Sequence, residues 1–162
     1  MRVDELPEHL IVVGGGYIGA ELGNVFGSLG SKVTIINRSD LMVRVQDPDI
    51  SRRFTDAYAK RFDVRTNMSI DSVEGEEGNI RVHVTSNGVS EVIEGDTLFV
   101  ATGRVPNGDE LAVTETGVEL DERGYVITDA TLKTSHPDIY ACLLYTSPSP
   151  RDRTRSRMPS SA

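Results

Sequence analysis

The residues best suited to chemistry form a glycine-rich turn between a predicted strand and a predicted helix. The apolar run Leu10–Val13 leads directly into Gly14, Gly15 and Gly16, and Gly19 completes the spacing G-x-G-x-x-G. Glycines in such a turn let a phosphate approach the backbone at the start of a helix. With a strand before it and a helix after it, the spacing predicts a pyrophosphate site of a dinucleotide. The alternative is a tight turn with no ligand.

Three glycines of the turn have separate predicted roles. Gly14 allows the sharp exit from the strand, Gly16 leaves space for the pyrophosphate, and Gly19 lets the helix pack closely on the strand. Apolar residues at helical spacing predict a helix at Tyr17–Leu29, whose N-terminal N–H groups would face the phosphates. The face predicted to pack on the sheet consists of Ile18, Leu22, Val25, Phe26 and Leu29.

The segment Gly14–Glu21, read as G-G-G-Y-I-G-A-E, resembles the pyridine-nucleotide motif of the flavin-dependent disulfide reductases. This family includes glutathione reductase, dihydrolipoamide dehydrogenase and mycothione reductase. A second segment, Ala101–Asn107, resembles the A-T-G-R-x-P-N sequence that closes the same domain. The resemblance extends from Met1 to Cys142. It implies an α/β fold with a Rossmann-like parallel sheet, a β-meander crossover and a partial return segment to an FAD domain.

A second predicted strand, Lys32–Asn37, ends where dinucleotide-binding folds select their cofactor. An acid there binds the ribose 2′-OH of NAD, whereas an arginine accommodates the 2′-phosphate of NADP. This chain has Asn37 followed by Arg38, with Arg44 further along. By resemblance, Arg38 and Arg44 match the arginines that hold the 2′-phosphate in glutathione reductase-like enzymes, and Asn37 is expected to hydrogen-bond the ribose. NADPH is therefore favoured over NADH; the alternative is two solvated surface arginines.

The remaining site residues are implied by the resemblance. Tyr17 is expected to gate the nicotinamide pocket, Glu21 to orient the nicotinamide side, and the Gly103 backbone to lie near the nicotinamide. Ile70 lies where family members line the adenine site, with a core position as an equal alternative. The expected cofactor-binding residues are Gly14, Gly15, Gly16, Tyr17, Ile18, Gly19, Glu21, Asn37, Arg38, Arg44, Ile70 and Gly103. No catalytic or metal-binding residue is expected in this chain.

Further elements are predicted after the second strand. A helix begins with Asp47 as N-cap and Pro48 in its first position, and its buried face is predicted to contain Ile50, Phe54, Ala57 and Tyr58. Alternating apolar residues and turn signals then predict strands. These strands span residues 70–74, 80–85, 91–94, 96–101, 126–129 and 139–141.

The predicted organisation has four parts. Residues 1–9 are a linker from a missing FAD segment, residues 10–106 the NAD(P)-binding domain, and residues 107–142 a partial return segment of the FAD-binding domain. Residues 143–162 are predicted to be disordered and a sequencing artefact, because Tyr145–Asp152 looks like translated adapter DNA. We interpret Cys142 as a small core residue and not as a redox thiol.

The composition and charge of the chain argue against some classes of binding partner and location. The 162 residues carry a net charge of −8, which disfavours a nucleic-acid surface. There is no apolar run long enough for a membrane span, and the acidic N-terminus is unlike a signal peptide. A single cysteine excludes an internal disulfide and favours a cytoplasmic location.

The resemblance implies a parent oxidoreductase that passes hydride from NADPH to FAD and then to a disulfide, with a mycothione reductase-like parent favoured. The parent is expected to be a homodimer. This chain lacks the family's redox cysteine pair and acid–base histidine, so we expect a monomer that binds cofactor without turnover. Two alternatives are a stand-alone NADPH-binding regulatory module and the FAD-binding domain of a flavoprotein hydroxylase.

Overall fold

The computed structural model describes residues 3, 5–76, 78–108 and 110–142. Internal contacts divide the chain into one unit spanning Met1–Gly103 and a second that begins at Arg104. The two units are described separately. The four-part domain assignment stays a prediction, and the disorder and artefact predicted for residues 143–162 lie outside the described residues.

The first unit is an α/β structure with a parallel sheet, as predicted. Its elements are β1 (His9–Val13), α1 (Tyr17–Leu29), β2 (Lys32–Ile36), α2 (Pro48–Ala59), β3 (Asp63–Arg65), β4 (Ser69–Glu76), β5 (Asn79–Ser86), β6 (Val89–Gly95) and β7 (Thr97–Val100). The parallel sheet has the order β3-β2-β1-β7, and β4-β5-β6 form an antiparallel meander. The predicted combination of Rossmann-like sheet and meander is therefore confirmed.

Strand β1 lies at the centre of two apolar clusters. Alternate side chains of a strand point to opposite faces of the sheet. Leu10 and Val12 join a cluster that also takes partly buried aromatic side chains from both helices. Ile11 and Val13 join a second cluster with residues of the meander. The strand is buried on both faces, which explains its continuous apolar sequence.

The face through which α1 packs matches the predicted one only in part: Phe26 packs against the core, but the fully buried residues are others. Its buried residues are Gly19, Ala20 and Gly23. Three residues of the predicted apolar face, Ile18, Val25 and Leu29, are 45%, 47% and 63% exposed. The small residues are buried because they let the helix lie close to the sheet, which was predicted for Gly19 alone. A Cβ on Gly19 would clash with the carbonyl oxygen of Gly14.

Two glycines of α1 should respond oppositely to the same substitution. In Gly23→Ala the new Cβ would lie 3.6 Å from Ile35 and 3.7 Å from Val33, an ordinary contact distance. We expect it to raise the free energy of unfolding by about 0.5–1 kcal/mol, because alanine favours helix. Gly19→Ala should lower it by about 1–3 kcal/mol through overpacking. Urea unfolding of both variants checks this; a stable Gly19→Ala variant would contradict the close packing.

Helix α2 begins as predicted but turns another face inward. The Asp47 carboxylate accepts the Asp49 N–H at 2.9 Å, and Pro48 occupies the first turn. Of the predicted buried face, Phe54 and Tyr58 are partly buried and stack at 4.2 Å. The other two, Ile50 and Ala57, are exposed, and Ser51 and Thr55 are buried instead. These hydroxyls bond the backbone of the preceding loop, which apolar side chains could not do.

Three further differences concern short elements. Strand β3 was not predicted, since three residues are too few to show an alternating pattern. In the second unit, the strands predicted at residues 126–129 and 139–141 are only isolated bridges, Leu120 with Val126 and Lys133 with Tyr140. A 3₁₀ helix spans Val113–Thr116. Cys142 is exposed, so its interpretation as a core residue is wrong.

Candidate functional site

A cavity of about 740 Å³ lies at the carboxyl ends of the parallel strands. Ligands of doubly wound sheets bind at this edge, where the loops after the strands converge. Nine of the twelve expected cofactor-binding residues line it. These are Gly14, Gly15, Gly16, Tyr17, Asn37, Arg38, Arg44, Ile70 and Gly103.

The glycine-rich turn forms one wall of the cavity. Gly14 has a φ of +110°, and a Cβ there would lie 2.5 Å from the Ala101 carbonyl oxygen, so only glycine fits. Gly16 has no atom within 4 Å of the position its Cβ would occupy. It is also the N-cap of α1 and offers no side chain to the first-turn N–H groups. The turn therefore presents open space and backbone donors, which suits an anion.

Three expected residues lie on α1 away from the cavity lining. Gly19 is buried against the turn, which is a packing position. Ile18 is 45% exposed, and Glu21 is also exposed. Among the described residues that line the cavity, these three are therefore absent.

Two unpaired cations stand on the loop between β2 and α2. Arg38 and Arg44 are exposed and line the cavity. Within the described residues, neither guanidinium has a hydrogen bond or an ion pair. Four other arginines of the unit do have partners; Arg65, for example, contacts Asp63 at 2.6 Å. Two free guanidinium groups can bind a phosphate through charged, forked hydrogen bonds.

Helix α2 holds this arginine loop in place. The Met42 N–H donates to Thr55 Oγ1 at 2.9 Å, and Ser51 Oγ donates to the Val43 carbonyl at 3.1 Å. Val43 has a φ of +44°, a conformation that a β-branched residue adopts only when its surroundings impose it. Sequence reasoning missed Ser51 and Thr55. The signal was two hydroxyl residues at i and i+4 on a helix otherwise rich in charge.

Asn37, at the end of β2, is buried and directs its amide into the chain. Its Oδ1 accepts the Gly15 N–H at 3.2 Å. Its Nδ2 donates to the carbonyls of Ser39 and Leu41, each at 2.9 Å. Both amide N–H groups are thus engaged within the chain.

Tyr17, Ile70 and the loop after β7 form further parts of the cavity lining. Tyr17 is 47% exposed, and its hydroxyl accepts a hydrogen bond from the side-chain amide of Gln46. Gly103, with a φ of +133°, follows β7 at the rim. Ile70, 37% exposed, lies on the wall formed by β4.

A second cavity, of about 430 Å³, lies near the amino ends of β1, β2 and β3. Its polar groups bond one another: His9 Nε2 lies 2.9 Å from Thr34 Oγ1, and Arg65 contacts Asp63 and, at 3.5 Å, Glu91. Burial, together with the nearby Lys32, lowers the pKa of His9. Because these charges are paired with one another, we assign no ligand to this cavity.

The first cavity thus combines the features that a dinucleotide requires. It offers open backbone at a helix N-terminus, an apolar wall and free cations at one end. A comparison with protein families shows the family: the pyridine nucleotide-disulphide oxidoreductase profile matches residues 1–142. The chain belongs to the pyridine nucleotide-disulphide oxidoreductase family.

Relatives of several activities match the chain. Mercuric reductase of Bacillus cereus is 39% identical over 143 residues, and mycothione reductase of Mycobacterium tuberculosis is 37% identical over 142. Dihydrolipoyl dehydrogenase of Haemophilus influenzae is 33% identical over 141. Each match covers 87% of this chain but only 22%, 30% and 30% of the relative, respectively. The chain thus spans less than a third of the length of these relatives.

A solved structure gives the same result. The HOCl-induced flavoprotein disulfide reductase RclA of Escherichia coli matches with a TM-score of 0.74 and 31% identity. That match covers 86% of this chain and 31% of RclA. The pyridine nucleotide-disulphide oxidoreductases use FAD and a pyridine nucleotide. Among the described helices, none has the length and apolar character needed to cross a bilayer.

Proposed function

We propose that this chain is the NADPH-binding domain of an FAD-dependent disulfide oxidoreductase. The observation that carries the proposal is the pair Arg38 and Arg44, which line the cavity with no partner among the described residues. The strand-end residue beside them is the neutral Asn37, where an acid would favour NAD. A 2′-phosphate with a charge near −2 suits two unpaired guanidinium groups.

The remaining cavity residues fit the rest of the dinucleotide. The pyrophosphate would lie against the Gly14–Gly16 turn, where the α1 N-terminus supplies N–H donors and a favourable dipole. The adenine would lie toward Ile70 and the nicotinamide toward Tyr17 and Gly103.

When bound, the nicotinamide supplies a hydride and the flavin of the parent protein accepts it. This chain's residues bind and orient the nicotinamide nucleotide. The parent would then reduce a disulfide to two thiols, in the cytoplasm and as a homodimer. Among disulfides, a mycothione-type substrate is favoured, since the run Asn37-Arg38-Ser39 resembles mycothione reductase.

Titration of the full chain with NADPH and NADH by calorimetry tests the proposal. NADPH should bind more tightly by at least about 3 kcal/mol, because each of the two arginines is expected to donate a charged hydrogen bond worth about 1.5–3 kcal/mol. A parallel titration with 2′,5′-ADP and 5′-AMP serves as the control, because these ligands differ in the same phosphate and lack the nicotinamide. Equal affinities within both pairs would contradict NADPH selectivity, and no binding of any ligand would contradict the site.

A further inference from the structure

The side chain of Asn37 connects two parts of the cavity wall that are separate in sequence. On one side it accepts the N–H of Gly15, in the glycine-rich turn. On the other side it donates to the carbonyls of Ser39 and Leu41, in the arginine loop. A single buried amide therefore fixes the pyrophosphate wall and the loop that presents the two arginines.

The orientation of this amide follows from its partners. An amide offers two donors on nitrogen and acceptor positions on oxygen. The reversed amide would set its N–H groups against the Gly15 N–H and its oxygen against two carbonyl oxygens. Only the observed orientation makes hydrogen bonds to all three neighbouring backbone groups, and it leaves no side-chain N–H of Asn37 free to reach a ribose.

Other contacts strengthen the same connection. The Val43 N–H donates to the Gly15 carbonyl at 2.7 Å, so the loop and the turn are joined at a second point. The Ser39 carbonyl also accepts the N–H of Asn67 at 3.1 Å. A Cβ on Gly15 would come within 2.8 Å of the Asn37 amide. The amide thus fills the space between turn and loop and has little freedom to turn outward.

We propose that Asn37 is a positioning residue that sets the cofactor preference by holding the arginine loop against the glycine-rich turn. This inference rests on the proposed function and differs from the ribose contact expected from sequence. An asparagine is needed because two carbonyl acceptors and one N–H donor converge on it. Aspartate has the same shape but would set a carboxylate oxygen against both carbonyls.

The variant Asn37→Asp tests this inference in the full chain. At pH 8 it should bind NADPH about tenfold or more weakly than the unmodified chain, because the carbonyls of Ser39 and Leu41 lose the Asn37 donor and face a carboxylate oxygen instead. Its affinity for NADH should not rise. The deficit relative to the unmodified chain should shrink as the pH falls, since a protonated carboxyl can again donate to one carbonyl. Asn87→Asp, at the turn between β5 and β6, is the matched control with the same charge change, and it should bind both nucleotides normally.

Amide hydrogen exchange provides a second test that needs no nucleotide. In Asn37→Ala the amides of Gly15 and Val43 should exchange about tenfold faster than in the unmodified chain. If that variant does not fold, Asn37→Asp takes its place with the Val43 amide alone as its readout, because a carboxylate oxygen still accepts the Gly15 N–H. Unchanged protection would overturn the inference. So would tighter NADH binding by Asn37→Asp, since a carboxylate at this position would then be bonding the ribose 2′-OH directly. An unmodified chain that binds neither nucleotide would overturn the proposed function and the inference with it.

Discussion

The Gly16→Val variant of the full chain should bind neither NADPH nor NADH. Gly16 borders the cavity, and the space where its Cβ would stand contains no protein atom within 4 Å. A valine would fill that space, which the shared pyrophosphate of both cofactors needs. Calorimetry should therefore detect no binding of either nucleotide at concentrations that saturate the unmodified chain.

The same variant should keep its fold. Gly16 has φ −78° and ψ −174°, an extended conformation that valine adopts without strain. The expected cost is about 1 kcal/mol, because valine is a poorer N-cap than glycine. Circular dichroism and urea unfolding check the fold, and Gly16→Ala, with a smaller side chain, should weaken binding without abolishing it. Unchanged affinity in a folded Gly16→Val variant would show that the cofactor binds elsewhere.

The sequence predicted the elements of this fold more accurately than the faces through which they pack. The bounds of α1 and the N-cap of α2 were predicted correctly, because glycine, proline and aspartate act locally on the backbone. The buried face of α1 was predicted only in part, through Phe26. Apolar periodicity shows which residues can be buried. How closely α1 approaches the sheet depends instead on Gly19 and Gly23, and the need for small residues there arises from contacts with the sheet.

The same distinction applies to the cavity. The cluster of glycines and arginines could be predicted, since each residue type implies its own chemistry wherever the chain brings it to the strand ends. The direction of the Asn37 side chain could not, because it depends on carbonyls of Ser39 and Leu41 that converge only in the folded loop. Ser51 and Thr55 were missed for a similar reason: their partners are backbone groups of that loop.

Replacing both Arg38 and Arg44 by alanine should remove the preference for NADPH and leave NADH binding intact. Each arginine is expected to donate a charged hydrogen bond to the 2′-phosphate, and such bonds are worth about 1.5–3 kcal/mol. The pair should therefore account for at least about 3 kcal/mol, or roughly a hundredfold in NADPH affinity. This pattern differs from that of Gly16→Val, which should affect both cofactors equally.

A matched control distinguishes direct phosphate binding by Arg38 and Arg44 from a general effect of net charge. Arg52 and Arg53 are exposed on α2, outside the cavity lining, and their replacement by alanine removes the same two charges. That double variant should change NADPH affinity little at about 0.1 M salt, where charges more than about 10 Å away are screened. The NADPH preference of the unmodified chain should also fall below about pH 6, as the 2′-phosphate gains a proton. An equal loss in both double variants would mean that net charge, and not the arginine loop, favours NADPH.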